Sequence, residues 1–458
     1  MCQKNFFFKK IVYLCNDFFK TFIYIIQMTM NRRNFLRNST ASIAAFTILP
    51  RNVLGGVNYM PPSDQINLGI IGCGAQGRGL GPQFARRENV NVIAAADCDS
   101  LRLQAMQDNI NATTEKAKGQ AYKGFKQYGE YRDLLARTDI DGVIISTPDH
   151  WHAVMTIDAC RAGKDVYVEK PMAHSIVEGR AMARAVGKYN RVLQVGNMQR
   201  SWRNFRHAVE LVRNKYIGDI KEVKVNVGPP PKPYNLPAQP VPKHVKWDNW
   251  IGPGPWNEFN EELLPPIEWR GFPNWRNYKE YGGGMITDWG AHMFDIAQWA
   301  LDMDESGPVD YFPIDGKEFK VLTMRYANGI TMTHEKIRAS DGNSVRFIGT
   351  DGVIDISRSF LDTIPAKLQT QEIGENEKRV YRSEDHYDDF LNSMKTRKQP
   401  LSNVEMGHRT STLCSIVNLC YEFNRKLTWD PVKEEFPNDY AANQRRENIT
   451  RPPYSLAL

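Results

Sequence analysis

Several kinds of protein are removed by what this chain does not contain. Its seven cysteines show no C-x-x-C pair and no paired spacing, which argues against a disulfide framework and a zinc site. No internal repeat is visible, so a solenoid or propeller is not expected. No sustained basic face exists either. Of the formal charge of +7, residues 1–37 hold +6, with Lys4, Lys9, Lys10, Lys20, Arg32, Arg33 and Arg37 set against Asp17 alone. Everything after Arg37 nets only +1, so nucleic acid is not an expected partner. The most apolar stretch, MCQKNFFFKKIVYLCNDFFKTFIYIIQ, is interrupted by Lys9, Lys10, Asn16, Asp17 and Lys20. A membrane helix needs about 18 or more consecutive apolar residues, so no stable span is expected in the mature protein.

What is present is an ordinary globular composition, 41% hydrophobic and 24% charged. At 458 residues the chain exceeds a single core, and two domains are expected. Near the start, NRRNFLR (31–37) precedes a short, mildly apolar run, STASIAAFTILP. Paired arginines, Phe-Leu, a basic residue and a weak hydrophobic segment form a twin-arginine export pattern, which places the mature protein in the periplasm or otherwise outside the cytoplasm. The Phe-, Lys- and Ile-rich residues ahead of it read as a start assigned too early, with Met28 or Met30 as the expected initiator. Residues 1–64 are therefore read as upstream extension, signal and linker.

Between residues 65 and 197 short apolar runs alternate with helical spans. INLGII, NVIAAA, GVIIS, DVYVE and RVLQV are buried-strand patterns, and their spacing predicts βαβ units with a parallel sheet. Residues 198–458 change texture. A basic helix leads to the alternating strand KEVKVNV, then to a Pro- and Trp-rich excursion from Gly228 to Trp275. Alternating strands return at KVLTMRYANGITMTHEKI and SVRFIGTDGVIDISR, and the last hundred residues or so are helical. The expected fold is an α/β Rossmann domain followed by an α+β domain with a mostly antiparallel open sheet.

Gly72-Cys73-Gly74-Ala75-Gln76-Gly77 matches G-x-G-x-x-G after an apolar strand and at the opening of a helix, with Asp97 twenty residues past Gly77. In that context the motif is a dinucleotide fingerprint. Gly72 permits the tight turn, Gly74 lets backbone approach the pyrophosphate, and Gly77 brings helix against strand. Phosphates then meet the free N–H groups of the helix start, including those of Ala75 and Gln76. Asp97 would accept from the adenosine ribose hydroxyls and repel a 2′-phosphate, which favours NAD over NADP; Asp99 is the alternative ribose ligand. Two further loops follow strands on the cofactor side, STPDHWHA (146–153) and VYVEKP (166–171). Thr147, Pro148, Glu169 and Lys170 are thereby expected at the cofactor, with Lys170 on the nicotinamide side.

With GIIGCGAQG, TPDHWH, AGKDVYVEKP and GGGMITDWGAHMFD in this order, the chain resembles the Gfo/Idh/MocA oxidoreductases from about Ile66 through Ile356. The resemblance implies a Rossmann domain plus an α/β domain whose open sheet often makes homo-oligomer contacts. It implies oxidation or reduction of hydroxyl and keto groups on sugars, cyclitols and related compounds. It also implies Lys170, Asp288 and His292 as catalytic residues, His152 near the cofactor, and Asp97 at the ribose.

Alcohol oxidation removes a hydride and a proton, so a base must act as charge builds on oxygen. Histidine's ordinary pKa of about 6.5 suits His292 to accept that proton and return it in reduction. Lys170 would stabilise the developing alkoxide, and Asp288 would orient His292 or bind a neighbouring hydroxyl; Lys170 as the direct proton partner is the alternative. Seven of the ten tryptophans fall between 247 and 299, and most are expected simply to pack the excursion. Trp269, Arg270, Trp275, Arg276 and Tyr278 are the expected substrate wall, with Tyr281 a weaker candidate. In GGGMITDWGAHMFD, helical spacing puts Asp288, His292 and Asp295 on one stripe. That trio lacks further nearby metal ligands, so no metal is expected; Asp295 is assigned a structural part, and Gly282 to Gly284 form a turn admitting substrate. Export deprives a dissociable cofactor of its pool, so NAD is expected to be tightly bound and recycled in place. An NAD-dependent glycosidase acting through transient oxidation is the alternative, although the additional tyrosine and histidine signature of that type is not visible here. A non-catalytic sugar-binding scaffold is the third reading.

Overall fold

The computed structural model describes residues 64–119, 124–338 and 342–458. The export pattern and both candidate start sites fall outside them. Six strands build the first sheet: β1 (Ile66–Ile71), β2 (Val90–Ala96), β3 (Lys126–Tyr128), β4 (Gly142–Ile145), β5 (Asp165–Val168) and β6 (Leu193–Val195). Between them run α1 (Ala75–Ala85), α2 (Ser100–Lys118), α3 (Tyr131–Leu135), α4 (Asp149–Arg161) and α5 (Ile176–Tyr189). All neighbours pair in parallel in the order β3-β2-β1-β4-β5-β6. Parallel strands are covered on both faces, which is why β1, β2, β4 and β5 read as nearly unbroken apolar runs. One face packs Leu68, Ile70, Phe84, Met106 and Tyr167. The other packs Ile93, Val143, Val154, Val166 and Met182. Each such aliphatic side chain contributes about 1.5–3 kcal/mol on full burial. Strand order reverses between β1 and β4, and the crevice at their carboxyl ends is where ligands of open α/β sheets bind.

The second sheet is held by α6 (Arg203–Arg213) and by two helices in the middle of the chain. These follow a one-turn helix, α7 (Trp247–Ile251), and are α8 (Gly284–Asp288) and α9 (Gly290–Ala300). Eight strands, β7 (Ile220–Asn226), β8 (Asp310–Phe312), β9 (Leu322–Arg325), β10 (Thr331–His334), β11 (Ser344–Gly349), β12 (Val353–Ser357), β13 (Leu361–Ile364) and β14 (Leu427–Thr428), align as β13-β12-β11-β7-β10-β9-β8-β14. Only β7 and β10 pair in parallel, so the sheet is mixed and mostly antiparallel, as the alternating patterns predict. In β7, Val223 and Val225 turn inward onto Ala208, Val209 and Ile296.

Two C-terminal helices, α10 (His386–Thr396) and α11 (Val404–Phe423), return to the first sheet. Phe390 and Met394 of α10 enter the core beneath β1 and β5, and α11 packs on α5 and α9. Both sheets therefore belong to one compact unit, Ile66–Leu458. No described helix is long and apolar enough to cross a membrane.

Candidate active site

The fingerprint glycines are required by the space around them. Gly72 has φ +93°, and a Cβ there would lie 2.8 Å from the backbone carbonyl of Ser146. A Cβ on Gly77 would lie 2.1 Å from the Gly72 oxygen, whereas one on Gly74 would meet nothing within 4 Å. Gly72 and Gly77 thus close the β1–α1 turn against β4, and Gly74 leaves the backbone open for a ligand. The start of α1 carries no side-chain cap, so its free N–H groups are available to an anion. Asp97 ends β2 and is braced by backbone donors, accepting from Cys73 N at 2.6 Å and Asp99 N at 2.8 Å. Burial nonetheless raises its pKa. Asp99 caps α2, receives Arg102 at 3.0 Å and His244 at 2.9 Å, and is buried. It does not line the cavity, so it is a helix cap and not the alternative ribose ligand.

One cavity of about 360 Å³ runs from the fingerprint to the second sheet. Gly72, Gly74, Ala75, Gln76, Asp97, Thr147, Pro148, Glu169 and Lys170 line it, as do Trp275, Arg276, Asp288 and His292. Lys170 Nζ donates to Asp288 Oδ1 at 2.7 Å and to the Asp288 carbonyl at 3.1 Å, and Arg276 Nε approaches the same Oδ1 at 3.4 Å. Burial works against the Asp288 charge, but Lys170 and Arg276 together hold its carboxyl below the usual range. His292 is buried; desolvation, then Lys170 and Arg358, keeps its pKa well below 6.5. Its Nε2 faces Arg358 Nη2 at 3.1 Å, so the neutral ring accepts there and carries its proton on Nδ1, which has no partner. Thr147 Oγ1 and Glu169 Oε1 are likewise buried without a partner. Three unanswered polar atoms, an uncapped helix start and the opening at Gly74 fit a dinucleotide with a polar substrate beside it.

Several expected positions are corrected. His152 is buried and does not line the cavity. Its Nδ1 lies 2.8 Å from Pro171 O and its Nε2 2.9 Å from Thr147 O, so it ties the TPD loop to the EKP loop. Gly77 packs inside the turn and does not face the cavity. Tyr278 is fully buried in the core of the excursion, with its hydroxyl on Glu262 at 2.9 Å, and Tyr281 lies in the same core. Trp269 and Arg270 are exposed and off the cavity, which leaves Trp275 and Arg276 from the expected wall. The single stripe of Asp288, His292 and Asp295 is broken at Trp289, between α8 and α9. Asp295 turns away to Arg200, with both oxygens bonded at 2.8 Å. Nor do the glycines admit substrate: a Cβ on Gly284 would strike the Pro230–Pro231 backbone, and one on Gly282 the backbone of Arg276.

Five contributors were not anticipated. Asp149, inside the TPD loop, is buried at the cavity wall, and burial pushes its pKa up to about 8, the like charge of Asp288 adding to the rise. The residue type and loop were legible, but its neighbours were not. Arg358 arrives from the β12–β13 hairpin, 66 residues past His292, and carries no local motif. Trp250, Leu263 and Leu264 line the cavity from the excursion, where composition could not separate roof from filler.

Residues 66–197 match the oxidoreductase family's NAD-binding Rossmann fold, and residues 232–456 match its C-terminal alpha/beta domain. A glycosyl hydrolase family 109 protein of Shewanella pealeana is 36% identical over 169 residues, 33% of this chain and 36% of that protein. The match thus spans about a third of that curated relative's length. Among solved structures, scyllo-inositol dehydrogenase from Lactobacillus casei, with bound NAD(H) and scyllo-inositol, superposes with TM-score 0.53 at 16% identity over 80% of this chain and 99% of that one. Aldose-aldose oxidoreductase from Caulobacter crescentus, complexed with glycerol, gives 0.53 at 19% identity over the same shares. At such identities the likeness establishes the fold. With both of its domains present in order, the chain belongs to the Gfo/Idh/MocA oxidoreductase family.

Proposed function

We propose that this protein oxidises or reduces a hydroxyl or keto group of a small sugar, glycoside or cyclitol, using NAD held in place between turnovers. The observation that carries the reading is the Lys170–Asp288 pair, 2.7 Å apart, on the cavity that also holds the fingerprint and His292. NAD, when bound, supplies the hydride acceptor or donor. The chain's own residues handle the oxygen and its proton. Lys170 has three N–H bonds, two of which go to Asp288, leaving one for the reacting oxygen as charge develops. Asp288 holds that ammonium in position and is itself kept ionised. His292, neutral and buried, receives the proton in oxidation and returns it in reduction. Its Nε2 becomes free for this when Arg358 moves its N–H to the substrate. Trp275 and Trp289 line the same cavity beside these groups.

The ribose side favours NAD: the Asp97 carboxylate lines the cavity, and Arg102 is committed to Asp99 and to Pro265 O at 2.5 Å, leaving little to greet a 2′-phosphate. Retention is supported by the excursion. It is fastened beside Asp97 by a bridge between Asp99 and Val245, by Lys246 N to Cys98 O at 2.9 Å and by Ser100 N to His244 O at 3.1 Å. Export by the twin-arginine route and assembly as a homo-oligomer complete the proposal; they are tested by fractionation of cells and by light scattering. Mass spectrometry of nucleotide released from purified protein tests the central reading. NAD in near-stoichiometric amount, reduced on incubation with a sugar panel, is expected. Protein free of nucleotide, with no thermal shift on adding any, would sink it.

A second reading rests on the glycosyl hydrolase relative. Transient oxidation would acidify a neighbouring C–H and expel the aglycone, with no net change in nucleotide. Release of p-nitrophenol from aryl glycosides, without accumulation of reduced nucleotide, would favour it.

A further inference from the structure

At the substrate end of the cavity the charges do not balance. Lys170 and Arg276 share one ionised carboxylate, Asp288. Arg276 also lies over Trp275, 4.3 Å from the ring centroid. Arg358 has no carboxylate within ion-pair distance among the described residues. Its guanidinium rests 4.5 Å over Trp289 and 5.4 Å from Trp202, and its Nη2 meets the neutral His292. The other carboxyls at this end, Asp149 and Glu169, are buried, and burial raises both. Three cations therefore face two carboxylates, Asp288 and Glu169, while burial pushes the Asp149 pKa up to about 8. A guanidinium stacked on indole offers its edge N–H groups in a planar fork, the geometry that matches a carboxylate.

We propose that Arg358 is a specificity residue that binds a carboxylate on the substrate, so that the preferred substrates are sugar acids and not their neutral counterparts. The inference rests on the sugar-oxidoreductase reading for its substrate class, but on Arg358 and its surroundings for the charge. It also gives the contact between Arg358 Nη2 and His292 Nε2 a part in binding, since a substrate carboxylate would draw that N–H away from the ring. Binding would thereby expose the base in the same movement.

The test is calorimetric titration of the nucleotide-loaded protein with glucuronate and with glucose, which differ only in the group at the terminal carbon. Wild type is expected to bind glucuronate at least about tenfold more tightly, as for hydrogen bonds to a charged group. Arg358→Gln should lose that ratio and Arg358→Lys should recover part of it. Arg276→Gln, whose cation Asp288 already answers, should weaken both sugars and keep the ratio. Equal affinities in wild type, an unchanged ratio in Arg358→Gln, or a ratio lost only in Arg276→Gln would each overturn the assignment. Tight glucuronate binding by protein whose nucleotide no member of the sugar panel reduces or oxidises removes the oxidoreductase reading and leaves this one. Reduction by both sugars alike does the reverse.

Discussion

Lys170 and Asp149 illustrate two opposite ways of holding a charge in one cavity. Lys170 is matched by a carboxylate at 2.7 Å, so Lys170→Met should reduce turnover by about 10²–10⁴-fold while leaving bound nucleotide in place. Steady-state rates beside nucleotide content check this, and unchanged turnover would remove Lys170 from the mechanism. Asp149 has no dedicated cation, and its folded pKa stands near 8 against an ordinary 3.8. Between those values the folded state keeps a proton that the unfolded chain releases. Stability is therefore lost progressively as pH rises from about 4 to about 8. Asp149→Asn, always neutral, should gain thermal stability over wild type, and the gain should grow across that window and level off above it. A gain that stays flat across that window would mean that Asp149 is ionised in the fold throughout it. His292 works in the other sense: its pKa lies well below 6.5, so the acid limb of the oxidation rate belongs below pH 6.5. A pH profile of the single-turnover rate measures it.

Among the elements, the excursion and the α8 turn decide how the cavity is closed. Arg102→Ala removes the bond to Pro265 O, one of the ties that hold the excursion beside Asp97, together with the local bond to Asp99. Nucleotide release should accelerate about tenfold or more, as expected for losing charge-assisted hydrogen bonds. Retention of nucleotide through dialysis reports it, and wild-type retention would show that the excursion is not the fastener. At the start of α8, Gly284 has φ +67°, and a Cβ would lie 2.5 Å from Pro231 N. Gly284→Ala should destabilise the protein by about 1–3 kcal/mol from the backbone conformation alone, before the collision is counted. A denaturant midpoint equal to wild type would contradict that packing. The run of three glycines was conspicuous in the sequence, but the sequence could not say whether they faced substrate or the chain itself.

At the scale of the whole molecule, one buried ion cluster joins the helices behind the site. Arg200 is fully buried and bonds Asp295 of α9 and, at 2.6 Å, Asp304. Thr410 of α11 adds a bond to Asp295 at 3.0 Å. Arg200→Met strands the buried Asp295, leaves the partly exposed Asp304 unmatched, and should cost about 3–5 kcal/mol. Because α9 carries His292, turnover should fall with stability; equilibrium unfolding together with activity tests the link. In the sequence Asp295 was visible as a structural residue, but its partner, Arg200, lies 95 residues earlier with no motif to mark it.

Asp288 and His292 were marked by the family resemblance, whereas the sequence's own pattern determined the two-sheet plan, the dinucleotide fingerprint and the place of Lys170 after a strand. Those features depend on short-range rules: strand periodicity, the glycines of a tight turn, and residues placed at strand ends. Tertiary structure alone decided which side chains converge from distant segments. It brought Arg358 to His292 and the excursion onto the cavity, turned Asp295 and Tyr278 into the core, and made His152 a strut between loops. The physical reason is that pKa, charge balance and cavity shape depend on neighbours in space. Asp149 and Asp288 are both aspartates in glycine- or proline-bearing stretches, yet one holds its proton to about pH 8 and the other stays ionised. What separates them is the Lys170 ammonium bonded to Asp288, a contact between residues 118 positions apart.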